Sequence, residues 1–546
     1  LGLAQSVSAY AYTPKDPGLW MLSLNVQPEQ AAKALEESLR IILRFKTEAV
    51  SEAELAKVKA LVESEAVYQR ETAQGMARKL GFYQASMGGI EREERYYAQV
   101  AALTAADVQR VARAYLRPEV AVLTALLPSG SALTQAQCEE ILDRVSRETP
   151  AVLESPKPRR TSAEKAAIQV TPTTGRGATA SGARVERLPN GATLVVREER
   201  SVPLFGIRAA FQGGLRYETA QNNGLTHLLG RMLTRGTEQR DAEELARTLD
   251  EMAGSLSGNS GRSSVGLRGE FLSRHFHQGF ELFAECLLRP TFPEAEFERE
   301  RGLVRQALAT RDDKPSSVAF ELFAKTLYRE HPYRLPVLGE LASLESLNPT
   351  ALAEYRRRYM DPSQLTLSVV GDVDAEQVLA LAREYFGANR GALPAAPAIP
   401  VEPPPDAPRQ EKRELKKAQS HVVLGFPGAR VNDPWRYALE VASTVLSGQG
   451  GRLFLELRDK QSLAYSVSSF SVEGVDPGYF ATYIGTSPEK VDAALKGMRA
   501  ELEKIASARV SDAELDRARR HMIGTHEIEL QRNSARAAQL ALYVCY

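Results

Sequence analysis

An internal repeat constrains this fold more than any other sequence feature. Residues 1–86 align with residues 461–546 without a gap, and about 20 of these positions are identical. LAQSVSAY aligns with LAYSVSSF, DPG with DPG, and SEAEL with SDAEL. Ser51 with Glu54, and Ser511 with Glu514, have the spacing of a capping box, in which each side chain accepts a hydrogen bond from the other residue's backbone amide. The repeat therefore predicts two copies of one unit, each with a helix that begins directly after its capping serine.

A second, weaker repeat relates residues 103–126 to residues 347–370. Both segments predict a helix that ends before a proline and is followed by a β-rich run. In the later copy, Asn348 is a predicted N-cap with Pro349 at the first helical position. Strand and helix patterns alternate along the chain, with residues 192–197 and 205–212 resembling a hairpin, which favours α+β domains.

Two segments of low order divide the chain. Residues 148–183 are rich in Ser, Thr, Pro and Lys, and residues 392–409 contain PAAPAIPVEPPPDAP, which predicts an extended, polyproline-like linker. The predicted organisation is an incomplete domain at 1–147, a domain at 184–391 and an incomplete domain at 410–546. The chain opens without a methionine and closes within an apolar helical pattern, so we expect a segment of a longer protein.

Charge and composition exclude several classes of protein. Lys plus Arg and Asp plus Glu both total 69, so no net positive charge is present to hold nucleic acid. No run of 18 uncharged apolar residues predicts a membrane span. Cys138, Cys286 and Cys545 are far apart and fit neither a metal motif nor a disulfide framework, so they are interpreted as core thiols.

The most informative stretch is NGLTHLLGRMLTRGT at residues 223–237. It resembles the helix G-x-x-H-x-x-E-H-M-x-x-x-G-T of the inverzincin peptidases, the family of pitrilysin, insulin-degrading enzyme and mitochondrial processing peptidase. The resemblance extends over nearly the whole chain, through RLPNGATLVV (187–196), AAFQGGLRYE (209–218), ERERGLVRQAL (298–308), HPYRLPVLGE (331–340) and VVGDVD (369–374). It implies four similar α+β domains, each an antiparallel sheet covered by helices, whose two halves close as a clam shell around a chamber. It also implies zinc-dependent hydrolysis of peptides or unfolded proteins.

The metal motif itself is degenerate in this sequence. H-x-x-E-H places two imidazoles on one helix face, with the glutamate activating a zinc-bound water. His227 matches the first histidine, but Gly230 replaces the glutamate and Arg231, which has no lone pair to donate, replaces the second histidine. The family's third ligand is expected near Gln306 and Ala307, which carry no carboxylate. We therefore predict that this copy binds no zinc and that His227 is a partly buried, hydrogen-bonded helix residue.

A second group of candidate residues lies within SGQGGRLFLELRDKQSLAYSVSSF, at residues 447–470. This stretch resembles the substrate-binding arm of the family's non-catalytic half, and Arg458 and Tyr465 match the residues that contact the substrate backbone and the developing oxyanion at the zinc site of the other half. A guanidinium and a phenol are suitable donors for that purpose. The first copy has Gln5 where the second has Tyr465, which indicates divergent roles. SGQGG lacks the G-K-[ST] of a phosphate loop and is interpreted as a turn.

Two further segments are assigned smaller roles. The Gly- and Ser-rich stretch at residues 251–271 corresponds to a strand that can pair with substrate in catalytic halves, but glycine makes it a poor edge. The remaining histidines, including His331 and His421, have no ligand spacing.

The predicted function is that of the non-catalytic half of a zinc metalloendopeptidase. This half would enclose extended peptides, while an upstream half or a partner chain supplies the zinc. Two alternatives stay open at this point: a structural protein resembling the core subunits of respiratory complexes, and a peptide-binding chamber without chemistry. The sequence does not indicate a cellular compartment.

Overall fold

A computed structural model describes residues 2–131, 133–148, 182–388 and 396–546, which fall into two compact units, 1–173 and 174–546. Almost all of the predicted 148–183 linker lies outside the described residues. No helix in the described ranges is both long and apolar enough to cross a bilayer.

The first unit contains one β-hairpin followed by helices. Strands β1 and β2 pair antiparallel from Ser6 opposite Asn25 to Tyr12 opposite Leu19. The predicted capping box of Ser51 and Glu54 is confirmed at the start of α2. The bounds are β1 Ser6–Tyr12, β2 Leu19–Asn25, α1 Ala31–Arg44, α2 Glu52–Arg70, α3 Ala73–Phe82, α4 Arg92–Ala102, α5 Ala105–Tyr115 and α6 Gln135–Glu148.

The β-rich run predicted after α5 is wrong as a strand. Residues 121–126 form no ladder, and Val122 is 89% exposed. A strand needs a neighbour to satisfy its backbone groups. The two-stranded sheet of this unit does not include this segment. The hairpin is also open to solvent, with Tyr10, Tyr12 and Trp20 all exposed.

The second unit begins with a six-stranded sheet and eight helices. The bounds are β3 Arg184–Arg187, β4 Thr193–Glu198, β5 Leu204–Gln212, α7 Leu225–Met232, α8 Ala242–Glu251, β6 Ser255–Ser260, β7 Ser264–Leu272, α9 Phe276–Leu288, α10 Glu294–Ala309, α11 Pro315–Leu327, α12 Leu341–Ser346, α13 Pro349–Tyr359, β8 Thr366–Gly371 and α14 Ala375–Phe386.

The strand order β3-β4-β8-β5-β7-β6 corrects the hairpin predicted from residues 192–197 and 205–212. β8 lies between β4 and β5 and pairs parallel with β4 and antiparallel with β5. All six residues of β8 are buried. A strand whose residues are buried on both faces is expected in the centre of a sheet, and local sequence spacing does not reveal that position. One face of the sheet carries the core, with Phe205, Ile207 and Phe271 fully buried.

The same unit ends with a three-stranded sheet in the order β10-β11-β9. The bounds are β9 Ser420–Pro427, α15 Arg436–Leu446, a π-helical segment Phe454–Lys460, β10 Ser466–Val472, β11 Tyr479–Thr486, α16 Val491–Ser507, α17 Asp512–Glu529 and α18 Asn533–Cys545.

The two sheets of this unit exchange helices. α11 lies between β7 and β8 of the first sheet in sequence but packs on the second sheet, where Phe320 stacks on Tyr483 and Phe323 meets Tyr479 edge-on. Conversely, α18 follows the second sheet but packs on β5 and β8 of the first, where Asn533 Nδ2 donates to Leu204 O at 3.3 Å. Each sheet therefore obtains part of its cover from the other's sequence.

The predicted repeat is confirmed element by element. β10 and β11 begin 460 positions after β1 and β2, and α16, α17 and α18 begin 460 positions after α1, α2 and α3. Ser511 and Glu514 form the second capping box, and Asn348 caps α13 with Pro349 in its first turn, as predicted. The repeated capping signals thus produce the same local structure in both copies.

The described part of the Pro-rich linker, residues 396–409, contains no helix or strand but is anchored to the first sheet's domain. The Glu402 carboxylate accepts hydrogen bonds from the backbone amides of Arg329, Glu330 and His331 at 2.9 to 3.1 Å. Arg409 Nη1 donates to Leu327 O at 2.7 Å. The domain boundaries proposed from the sequence stay a prediction.

Candidate functional site

The helix that carries the degenerate metal motif, α7, is fixed at its N-terminus by a buried carboxylate. Glu218 accepts hydrogen bonds from the Gly224 and Thr226 amides, both at 2.8 Å, and from Asn223 Nδ2 at 2.9 Å. Burial raises the pKa of Glu218, although these hydrogen bonds act in the opposite direction. A carboxylate at the positive end of a helix supplies acceptors to amides that would otherwise have none.

His227 is partly buried on α7, as predicted, but forms no hydrogen bond within the described residues, so that part of the expectation is wrong. Burial, followed by the charge of Arg231, lowers the pKa of His227 to about 4, while the nearby carboxylate of Glu300 acts in the other direction. The neutral imidazole is therefore the stable form at neutral pH.

Glu300 on α10 is a residue that the sequence reasoning missed. Its side chain is 0% exposed and forms ion pairs with Arg231 at 2.5 Å and Arg235 at 2.7 Å. Glu300 lies seven residues before Ala307, which is two helical turns, so both positions share one face of α10. That spacing was the signal available in the sequence. We name Arg231, Glu300 and Arg235 the buried triad, after its buried carboxylate; the two arginines are partly exposed.

Gly230 lies where α7 meets the edge strand β6. A Cβ on Gly258 would come within 1.8 Å of Gly230 O, so the two backbones touch at a pair of glycines. A Cβ on Gly230 would lie 3.4 Å from the Asn259 backbone, which is ordinary contact. The position of the family's catalytic glutamate therefore faces the backbone of β6.

The residues at this position do not fit zinc. His227 is the one nitrogen ligand of the motif, and the carboxylate of Glu300 is bound by two guanidinium groups. In the part of the chain that is described, no group of three His, Cys, Asp or Glu side chains could hold a metal ion. Zinc requires three or four protein ligands of these types, and a fixed positive charge opposes it.

Arg458 and Tyr465 lie in the second sheet's part of the unit, on either side of a tight turn. Arg458 belongs to the π-helical segment and is exposed, with its guanidinium carbon 4.7 Å from the centre of the Phe454 ring. Ser462 adopts φ 52° and donates to Arg458 O at 3.0 Å, which ends the segment. Tyr465 is 75% exposed, and its amide donates to Gly485 O at 2.9 Å.

Both side chains are therefore available for contacts outside the chain. Neither the guanidinium nor the phenol forms a hydrogen bond or ion pair within the described residues, and no such bond joins either of them to α7. The SGQGG stretch forms a turn before the helix that begins at Arg452, as predicted.

His331 was assigned no role from its sequence, but it joins the two sheet domains of the second unit. It is 3% exposed, and its Nε2 lies 3.1 Å from Asp476 Oδ2. Its Nδ1 accepts from the Tyr333 amide at 3.1 Å, and Arg216 Nε donates to Asp476. Burial alone would raise the pKa of Asp476, but the hydrogen bonds from His331 and Arg216 outweigh it and lower the pKa to about 2.

Comparison with known families gives two matches that together cover most of the chain. Residues 1–62 and 346–522 match the peptidase M16 inactive domain, and residues 195–341 match the insulinase domain of peptidase family M16. The second match includes the degenerate helix α7, and the first includes the turn between Arg458 and Tyr465.

Curated relatives and solved structures agree with these matches. The chain is 31% identical to an uncharacterized zinc protease of Streptomyces coelicolor over 391 residues, or 69% of this chain and 83% of the relative. It is 25% identical to an uncharacterized zinc protease of Bacillus subtilis, over 64% of this chain and 85% of that protein. A protease structure from Helicobacter pylori has a TM-score of 0.63 at 23% identity, covering 67% of this chain and 89% of that one. The structure of a peptidase M16 inactive domain from Pseudomonas fluorescens has a TM-score of 0.61 at 22% identity, covering 66% of this chain and 87% of that one.

The chain therefore belongs to the insulinase family of peptidases, peptidase family M16, as the sequence motifs indicated, and has its α+β fold.

Proposed function

We propose that this chain is the non-catalytic part of a zinc-dependent metalloendopeptidase, which encloses an extended peptide and presents Arg458 and Tyr465 to the scissile bond. The zinc would be held by a complementary half, either in the same polypeptide or in a partner subunit. The segment by itself would not hydrolyse peptides. The observation that carries the proposal is that Arg231, which stands in place of the second histidine ligand, is held by the buried Glu300, in a chain whose relatives are named zinc proteases.

The buried triad supports the absence of zinc chemistry from this half. Two guanidinium groups share one buried carboxylate at the helix where the family holds its metal. A cation placed here would have to displace those arginines, and the guanidinium stays charged at any physiological pH. This helix is thus suited to a structural role.

The exposure of Arg458 and Tyr465 supports a role in contacting substrate. Neither side chain has a hydrogen-bond or ion-pair partner within the described residues, so their donors are free for peptide carbonyls. Exposed side chains of this kind contribute little to the stability of the fold. The loop between them is held by backbone hydrogen bonds from Ser462 and Leu463 to Arg458 and Leu457. This restricts the backbone at both ends of the turn, which reduces the entropy lost when a peptide binds.

The hairpin of the first unit leaves one edge of β2 free within the described residues. β11 pairs with β9 along its outer edge, whereas β2, its counterpart in the repeat, has no partner on that edge within the described residues. An exposed edge with apolar neighbours is a template for another strand.

The proposal is tested by metal analysis and peptide cleavage. This chain alone should contain no stoichiometric zinc and should not cleave an unstructured fluorogenic peptide. Combined with its complementary half, it should give cleavage that a chelator abolishes. Zinc bound stoichiometrically by this chain, or cleavage by it alone, would contradict the proposal, and a complete parent protein without any metal-binding helix would favour a scaffold instead.

The role of Tyr465 is tested in the complete enzyme. Tyr465→Phe should lower kcat by about 100-fold, the usual effect of losing one oxyanion donor, while the zinc content stays unchanged. Tyr437→Phe is the matched control, because Tyr437 is also largely exposed. Equal activity of Tyr465→Phe and the parent would remove this role.

A further inference from the structure

One row of polar side chains crosses the sheet face that does not carry the main core. Arg208 on β5 lies directly opposite Arg268 on β7 and Ser368 on β8, and Arg268 lies opposite Ser257 on β6. Residues directly opposite on adjacent strands point to the same face and lie about 5 Å apart. We name these four residues the arginine–serine row.

This row differs from an ordinary surface cluster in its burial. Arg268 is exposed, Arg208 is partly buried and Ser368 is 0% exposed, so the row passes from solvent into the sheet. The row ends beneath α18, which packs on β5 and β8.

Two buried polar groups of the row lack hydrogen-bond partners within the described residues. Arg208 Nε and Ser368 Oγ are buried and form no hydrogen bond. Arg268 Nε donates to Ser257 Oγ at 2.9 Å, which leaves the terminal nitrogens of its guanidinium without an acceptor. Neither arginine forms an ion pair. A buried polar group without a partner costs about 1 to 3 kcal/mol.

The electrostatics of the row are also unfavourable. Two like charges directly opposite on neighbouring strands repel each other. Burial, followed by the charge of Arg268, lowers the pKa of Arg208 to about 10. Glu270 shares this face two residues further along β7 but forms no ion pair with either arginine, and the carbonyl oxygen of Cys545 at the end of α18 accepts from Gln212. No carboxylate of the described residues lies within ion-pair distance of either arginine.

We propose that the arginine–serine row binds an oxyanion, which supplies the acceptors and the negative charge that the two arginines lack. Guanidinium groups present planar donor pairs that match carboxylate and phosphate oxygens, and the serine hydroxyls add further donors. The oxyanion can come from an acidic peptide side chain or from a free phosphate, and both offer the same chemistry to the row. The site lies on the opposite face of the sheet from α7, so it is separate from the degenerate metal motif.

The test is calorimetric titration of the chain with two probes. One probe is inorganic phosphate, and the other is a tripeptide with a central glutamate, blocked at both ends, with its glutamine counterpart as the neutral reference. The parent should bind at least one of the two anionic probes, and Arg268→Gln should weaken that binding by at least about tenfold, because it removes one of two guanidinium forks. Arg268 is exposed, so this variant should fold. Arg509→Gln, which removes another exposed cation elsewhere in the unit, should bind as the parent does.

The outcome with each probe is decisive. Binding of phosphate alone identifies a phosphate-type ligand, and binding of the glutamate peptide alone identifies an acidic peptide; either result supports the row. Binding of neither probe, or equal affinity in the parent and Arg268→Gln, would overturn the proposal.

A second measurement separates ligand binding from a merely structural role. Arg208→Met should melt at a higher temperature than the parent in probe-free buffer, because it removes an uncompensated cation and keeps a similar shape. Saturating probe should then raise the melting temperature of the parent but not that of Arg208→Met. An equal rise in both proteins would also contradict the proposal.

Discussion

The ion pairs of the buried triad lead to the prediction that a third substitution restores stability that two substitutions remove. Replacing both Arg231 and Arg235 by Met leaves Glu300 buried without a counter-charge. Breaking a buried ion pair by removing one partner typically costs about 3 to 5 kcal/mol. Replacing Glu300 by Met as well removes the charge itself, so the triple variant should recover most of that loss.

The structure gives an upper bound for the cost in the double variant. Glu300 is 0% exposed, so its ionised form cannot regain water without local opening. Protonating a carboxyl group at pH 7, against a reference pKa of about 4.3 for glutamate, costs about 4 kcal/mol. The double variant should therefore lose about 3 to 4 kcal/mol, since protonation is the alternative to a buried charge.

The two arginines behave differently from the glutamate. Their side chains are 36% and 33% exposed, so each can turn toward solvent when the carboxylate is lost. Glu300→Met alone should therefore cost less than the double arginine variant. The two costs differ because Glu300 is left without access to water when its partners are lost, whereas the arginines can reach water.

Urea unfolding monitored by fluorescence measures these differences. The chain has two tryptophans, so a Trp20→Phe background leaves Trp435 to report on the second unit. Arg299→Met is the matched control, because the side chain of Arg299 is 58% exposed and its pair with Glu296 lies within one helical turn, so its loss should cost less than about 1 kcal/mol. If the double variant were as stable as this control, or if the triple variant were no more stable than the double, the triad would not act as a buried ion pair.

Three further predictions concern other contacts of the second unit. Gly258→Ala should destabilise the unit by more than about 2 kcal/mol, because the new Cβ would overlap Gly230 O. Gly230→Ala should be neutral or should stabilise the unit by up to about 1 kcal/mol, because its Cβ has room and alanine favours the helix; thermal unfolding compares the two variants. Folding lowers the pKa of Asp476 from 3.8 to about 2, so its contact with His331 and Arg216 contributes about 2 kcal/mol to the free energy of unfolding above pH 4, and this contribution is lost as the pH falls to 2. Urea unfolding at several pH values should therefore show a smaller loss of stability in acid for Asp476→Asn than for the parent. Glu402→Gln should lower the free energy of unfolding by about 1 to 3 kcal/mol and should speed hydrogen exchange of the Glu330 and His331 backbone amides. Unchanged exchange rates would contradict the anchoring of the linker by Glu402.

Local signals in the sequence determined much of this protein. The capping boxes at Ser51 and Ser511 and the cap at Asn348 depend on residues within one helical turn, so their spacing suffices to place them. The degenerate motif at His227, Gly230 and Arg231 is also local, and the family follows from such ordered motifs.

Only the tertiary structure decided which distant residues meet. β8 lies between β4 and β5, Glu300 pairs with Arg231, and His331 meets Asp476 across more than a hundred residues. These contacts depend on strand order and on helices exchanged between sheets, which follow from total apolar burial rather than from any short pattern. The unpaired state of Arg208 likewise becomes visible only when four strands place their side chains in one row.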